Sequence, residues 1–436
     1  MAENTRPETQ GKKKFKLTDA ILSVICVVFV AEAAAPVAAI GNSQYFWWIF
    51  LMLTFLLPYG LIASELGTTY DGEGGLYDWV RKAFGAKWGT RVSWYYWINF
   101  PLWMASLAVM CPNMFSIVIG HPIGVIPSLI IELAFIWVIV AISFFPVCDS
   151  VWILNGAALA NQYTAASLMP SFDAKSLSFI SVILFNFLGF EVVCTFADNM
   201  ENPKKQIPQA IVSGGLVIAA IYIFSAFGIG VAIPTAEVST SSGLIDSLQL
   251  LTGKTGSLFI SVMAVMFVLT LFGNMISWSL GVNNVASYAA EQRDMPEVFA
   301  KKSVKNSMPV GAAMMNGIVA SVVVILAPIL PNQDLFWSFF ALNLVMFLLA
   351  YLPVFPAFLR LRSIDPETER PFKVGGCKTF LRLLAALPMI MIVISLIFIA
   401  VPMSFDAQTL NEVLPITIGS VVFVGIGEML AAGKCK

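Results

Sequence analysis

Glu32 stands near the middle of "VVFVAEAAAPVAAIG" (27–41), an apolar run with no other charge and with Pro36 four residues further on. A carboxylate at mid-helix in hydrocarbon costs about 2.5–3.5 kcal/mol on insertion scales, so it must face the protein interior and find a partner. The proline ring disrupts helix hydrogen bonding nearby. Freed backbone groups beside a buried acid make a ligand or proton site; the alternative is a structural carboxylate bonded to a neighbouring helix. A second constellation lies in "LFNFLGFEVVCTFADNMENPKKQIP" (184–208), where Asn186, Gly189 and Glu191 interrupt an apolar span. Glycine weakens the helix there and lets another group approach the backbone. Two interrupted, acid-bearing spans that meet at mid-membrane would form a ligand site, with Glu191 equally readable as an interhelical hydrogen-bonding group. Phe185 and Trp278, the latter among the small and polar residues of 272–301, read either as packing or as aromatic walls for a ligand.

These residues sit on elements dictated by composition. Of 436 residues, 58% are hydrophobic and only 12% charged, against roughly 25% charged in soluble domains. The chain is therefore an all-α polytopic membrane protein, since a backbone in lipid must satisfy its own hydrogen bonds. Eleven apolar runs are long enough to cross: 17–42, 46–67, 89–119, 124–147, 177–198, 209–233, 257–288, 310–330, 335–360, 379–403 and 412–432. Basic residues crowd in "KKKFK", "VRKAFGAKWGTR", "NPKKQ", "EQRDMPEVFAKKSVKN", "RLRSIDPETERPFK" and "GKCK". The positive-inside rule puts these loops and the N-terminus in the cytosol. That orientation demands a further crossing between 147 and 177, where "VWILNGAALANQYTAASLM" (151–169) is too polar in its second half to face lipid. Either a shielded polar span crosses there or a helix is missing. The stretch "YDGEGGLYDWVRKAFG" (70–85) reads as a glycine-rich turn and a short amphipathic helix lying on the interface, with Leu76, Trp79, Val80 and Phe84 on one side.

Other chemistries are excluded. Six scattered cysteines form no CxxC pair, and His121 is the single histidine, so neither a disulfide framework nor a metal site is expected, and no cofactor. "TGKTG" (252–256) carries Leu248 where a P-loop needs its first glycine. No catalytic constellation appears, and a net charge of −1 gives no nucleic-acid footprint. An enzyme is not expected.

Four stretches in order carry a resemblance: "GLIASELGTTYDGEGGLYDWVRKAFG", "NFLGFEVVCTFADNMENPKKQIPQAI", "ISWSLGVNNVASYAAEQRDMPEVFAKKSVKNSMPVG" and "ERPFKVGG". Together they resemble the amino acid–polyamine–organocation (APC) transporters, and among these the bacterial glutamate/GABA and amino-acid/amine antiporters. The resemblance implies an inverted repeat of five helices plus two more, with the family's fifth helix missing or strongly shortened. It implies a cytosolic tail (1–15) and one transporter domain (16–436), divided into a shortened first repeat (16–169), a second repeat (177–364) and two last helices (378–432). It places substrate at the unwound middles of the first and sixth helices: Glu32, Ala33 and Ala34 on one, Phe185, Asn186, Leu188 and Gly189 on the other, with Trp278 beside them and Glu191 as a coupling or structural acid. "AEAAAP" replaces the family's Gly-Ser-Gly stretch, so no backbone carboxylate-binding positions carry over. The expected activity is exchange of amino acids, their amines or polyamines across a bacterial plasma membrane by alternating access, with the lipid bilayer as partner and a homodimer left open. A missing helix supports the alternative of a non-transporting relic or membrane sensor.

Overall fold

The computed structural model describes residues 17, 31–70, 72, 74–145, 169–190, 202–233, 238–239, 243–252, 258–329 and 334–433. Among these every regular element is helical. Eight helices are long and apolar enough to cross a membrane: Gly41–Thr69, Ala86–Ile119, Val125–Ile142, Lys205–Ser225, Leu258–Glu291, Leu335–Ile364, Lys378–Ala400 and Thr409–Ala432. Two further predicted spans form shorter apolar helices, Ser176–Phe185 and Val310–Leu326. The first predicted span is described only from residue 31. Most of the 151–169 stretch lies outside the described residues, as does Glu191.

The two predicted breaks both appear. In the first span a tight turn at Ala31–Ala33 leads into α1 (Ala34–Ala38). Pro36 has no N–H to offer the carbonyl of Glu32, so the regular ladder cannot pass through the acid. In the second, α6 (Ala174–Phe185) stops in mid-run. Its last turn tightens through Phe187 N–H to Leu184 O at 2.9 Å and Leu188 N–H to Phe185 O at 3.1 Å. Gly189 follows at φ 92°, left-handed backbone that an L side chain adopts only at a cost.

The other helices up to residue 351 are α2 (Gly41–Thr69), α3 (Leu76–Phe84), α4 (Ala86–Ile119), α5 (Val125–Ile142), α7 (Pro203–Ala232), α8 (Gly243–Thr252), α9 (Leu258–Glu291), α10 (Val310–Leu326) and α11 (Leu335–Tyr351). α9 and α11 pack along α4, while α1 packs on α6 and α7. At 34 residues, α4 is about 51 Å long and overshoots the roughly 30 Å hydrocarbon layer. It ends at Gly120, whose φ of 82° suits a left-handed helix cap.

The short helix α3 (Leu76–Phe84) corrects one expectation. Leu76, Trp79 and Val80 are buried in protein rather than laid on a lipid interface. α3 packs against α4 and against α12 (Val354–Ile364), the continuation of α11. The apolar face that the sequence shows is real, and protein covers it.

Candidate functional site

Glu32 is 2% exposed. Trp103, on α4, donates its indole Nε1–H to Glu32 Oε1 at 3.1 Å. The other oxygen, Oε2, is buried and has no hydrogen-bond partner among the described residues. One indole donor satisfies only a fraction of a carboxylate's acceptor capacity, and leaving a charged group under-satisfied in the interior is costly.

Aromatic rings wall this acid. Trp103 meets the edge of Phe185, the last residue of α6, at a centroid distance of 5.3 Å, and Trp278 on α9 at 5.7 Å. Phe185 also contacts Phe340 at 5.5 Å and Phe347 at 5.3 Å, both on α11, and Trp278 lies 5.5 Å from Phe347. Rings from four helices thus form one cluster that includes the indole bonded to the carboxylate, an arrangement that suits an organic cation both by charge and by ring quadrupoles.

Two amides complete the surroundings. Asn186, at the break after Phe185, and Asn343, on α11, are each 0% exposed. Neither the oxygen nor the nitrogen of either side chain has a partner among the described residues. Of the residues expected from sequence, Glu32, Phe185 and Trp278 are joined through the Trp103 indole. Asn186, Ala33, Ala34 and Leu188 are buried close along the chain, and Gly189 supplies the turn. Sequence reasoning missed Trp103, Phe340, Asn343 and Phe347. Asn343 left a signal, an amide alone in "FFALNLVMF"; the aromatics, in a chain so rich in them, left none.

A second buried acid shows the contrast. Glu65, at the basic-loop end of α2, is 1% exposed but fully engaged. Arg362 forks onto both its oxygens, with Nε at 2.7 Å from Oε1; Arg370 Nε lies 3.4 Å away, and the Val374 N–H donates to Oε2 at 2.7 Å. On the same side Asp294 accepts from the Tyr77 hydroxyl at 2.7 Å and from Arg81 Nε at 2.5 Å. Burial, and the hydrogen bond to Asp294, push the Tyr77 phenol well above its ordinary range. Glu65 thus ties α2 to α12 and the segment after it, and Asp294 ties α3 to the turn that follows α9; among the described residues no group of three or more metal-ligating side chains forms.

A profile of the amino acid permease family matches residues 15–166 and 157–426. The chain belongs to the amino acid permease family. Among permeases and related transporters, it is 64% identical, over 98% of its own length and 96% of the relative's, to a protein named as a probable agmatine/putrescine antiporter from Lactococcus lactis subsp. lactis. It is 23% identical to a glutamate/gamma-aminobutyrate antiporter of the same species over 80% of this chain and 76% of that one. It is 31% identical to a putrescine transporter of Haemophilus influenzae over 36% and 35% of the two chains. The first alignment runs over 448 residues, more than this permease has, so the relative has residues with no counterpart in this chain. The permease is a multi-pass membrane protein, and the family resemblance read from its motifs holds.

Proposed function

We propose that this permease is an antiporter that exchanges agmatine and putrescine, or closely similar diamines, across the cytoplasmic membrane, with its basic loops and N-terminus in the cytosol. The observation that carries the substrate class is Glu32: a buried carboxylate that accepts an indole N–H on one oxygen, has no partner on the other among the described residues, and lies beside an aromatic cluster. A substrate ammonium would donate to Oε2 and complete the carboxylate's hydrogen bonding. Phe185 and Trp278 would lie along the cation and its methylene chain, and Asn186 would offer an amide at the helix break. An acidic ligand would meet like charge at the same place, which disfavours glutamate as a substrate.

The same geometry accounts for exchange rather than one-way flow. Alternating access around this site requires the broken segments at 31–38 and 186–189 to move past their neighbours. With a dication bound, the charge of Glu32 is compensated throughout; with nothing bound, an under-solvated carboxylate must make the passage. Return without cargo is therefore slow, and one amine leaves only as another enters. The inverted repeat and the missing or shortened fifth helix belong to this reading as well. Counterflow in proteoliposomes tests it. Labelled putrescine should accumulate only in vesicles preloaded with putrescine or agmatine, and not in those preloaded with glutamate. No uptake across the panel, from folded protein, would favour a transport-dead sensor instead.

A further inference from the structure

At the end of the molecule that carries the basic loops, a row of charges and rings has no part in the Glu32 site. Arg360, on α12, holds its guanidinium carbon 5.2 Å from the centre of the Phe84 ring, at the end of α3. The Phe84 ring lies 6.1 Å from that of Trp88, in the first turn of α4. Arg91, three residues on, places its guanidinium 4.9 Å over Trp88. It also forks onto Glu428 of the last helix (Ala407–Ala432), through two hydrogen bonds of 2.6 Å. Guanidinium, ring, ring and guanidinium thus form one line across α12, α3 and α4. Lys87 stands four residues before Arg91 and so on the same side of α4.

The charges of this row are unbalanced. Glu428 neutralises Arg91, but Arg360 and Lys87 are exposed and have no ion-pair partner among the described residues. Arg362, two residues after Arg360, is turned to Glu65. A ring face attracts the guanidinium of Arg360 and leaves its in-plane N–H groups free to bond an anion. Trp88 is 42% exposed, the position that tryptophan takes at a membrane–water boundary. Beside the row the surface is apolar: the last helix turns Val421, Val422 and Met429 outward. Trp94 ties that helix to α4 by donating its indole N–H to the Phe423 carbonyl at 2.8 Å. A soluble anion would use the cations alone. A molecule with a phosphate and acyl chains uses the cations and the apolar wall together.

We propose that this row seats the head group of an anionic phospholipid. Its phosphate is drawn to Arg360 and Lys87, Trp88 packs at the level of the glycerol, and the acyl chains run along the last helix. Two uncompensated cations favour an anionic head group over a zwitterionic one, which brings a cation of its own. Nothing in this depends on what Glu32 binds; it requires only that this end of the molecule meets a leaflet.

Native mass spectrometry of the full-length protein in detergent tests it, with phosphatidylglycerol and phosphatidylcholine of identical acyl chains titrated separately. At about fivefold per basic residue near a membrane surface, the parent should bind its first phosphatidylglycerol about twenty-five-fold more tightly than its first phosphatidylcholine. Arg360→Gln and Lys87→Gln should each weaken phosphatidylglycerol about fivefold, and the double variant about twenty-five-fold, with phosphatidylcholine changed less than about twofold throughout. Both side chains are exposed, so the variants should melt with the parent in phosphatidylcholine. Lys305→Gln removes an exposed cation away from the row and should leave both lipids within about twofold. A parent that does not distinguish the two lipids, a double variant that binds phosphatidylglycerol as the parent does, or an equal loss from Lys305→Gln would overturn the assignment. Competition by glycerol 3-phosphate at concentrations equal to those of phosphatidylglycerol would overturn it too, in favour of a site for a soluble phosphate.

Discussion

Glu32→Gln isolates the charge at the centre of the site. Glutamine has the same length, and its amide oxygen can still accept the Trp103 N–H that now lies 3.1 Å from Oε1. The fold and the aromatic wall should therefore persist, and the ligand-free protein should melt no lower than the parent. What is lost is the counter-charge for a cation enclosed by Trp103, Phe185 and Trp278. Removing one partner of a buried ion pair costs about 3–5 kcal/mol, which is roughly a hundred- to several-thousand-fold in Kd. Equilibrium binding of labelled putrescine to purified protein reads this directly. Counterflow at substrate concentrations well below the variant's Kd should fall in proportion. A second readout bears on exchange: at saturating substrate the variant should release a larger share of its cargo into amine-free medium, because a neutral side chain makes the unloaded passage easier. A glutamine variant that binds and exchanges putrescine as the parent does would refute the reasoning, and would return Glu32 to the role of a structural carboxylate.

Other perturbations have separate expected outcomes. Glu65→Gln strips the charge partner from Arg362 and Arg370 while both stay largely buried; a stability loss of about 3–5 kcal/mol is expected, seen as a lower melting temperature. Gly189→Ala forces an L side chain to φ 92° and should cost about 1–2 kcal/mol in the same melt. Asp173 caps α6 by accepting the Ser176 N–H at 2.9 Å. Burial pushes its carboxyl up, but hydrogen bonds from Ser171 and Ser176 outweigh that and hold it down at about 2. A depressed carboxylate stabilises the fold above its unfolded pKa of about 3.9. That contribution should disappear as pH falls from about 4 through 2, and Asp173→Ala should remove the pH dependence along with roughly 1 kcal/mol of stability.

The sequence displayed some of these features and hid others for physical reasons. A lone acid in an apolar run is visible because hydrocarbon penalises it, and Pro36 and Gly189 are visible because they limit what the backbone can do. Both breaks were therefore legible, as were the eight long spans, from length and apolarity. The distinction between Glu32 and Glu65 was not. Both are buried acids, and only the fold shows that one has two arginines about 300 positions away while the other has an indole and no cationic side chain among the described residues. Trp103 looks like any tryptophan in a span until its N–H is seen to reach a carboxylate. The lipid-facing reading of α3 failed because an amphipathic pattern records that one face is covered without recording by what.

The helix caps bear on how substrate arrives. Asp173, Asp334 and Asp406 each accept the N–H three residues ahead, at 2.9 Å, and so start the helices beginning at Ala174, Leu335 and Ala407. All three helices begin on the face opposite the basic loops. Capping thus leaves three fixed negative charges at that end of the molecule, opposite the basic loops at the other. A dication diffusing toward the acidic end is concentrated there, and one approaching the basic end is repelled. Capture should then be faster from the acidic face, by a margin that shrinks as added salt shortens the Debye length from about 30 Å at 0.01 M to about 8 Å at 0.15 M.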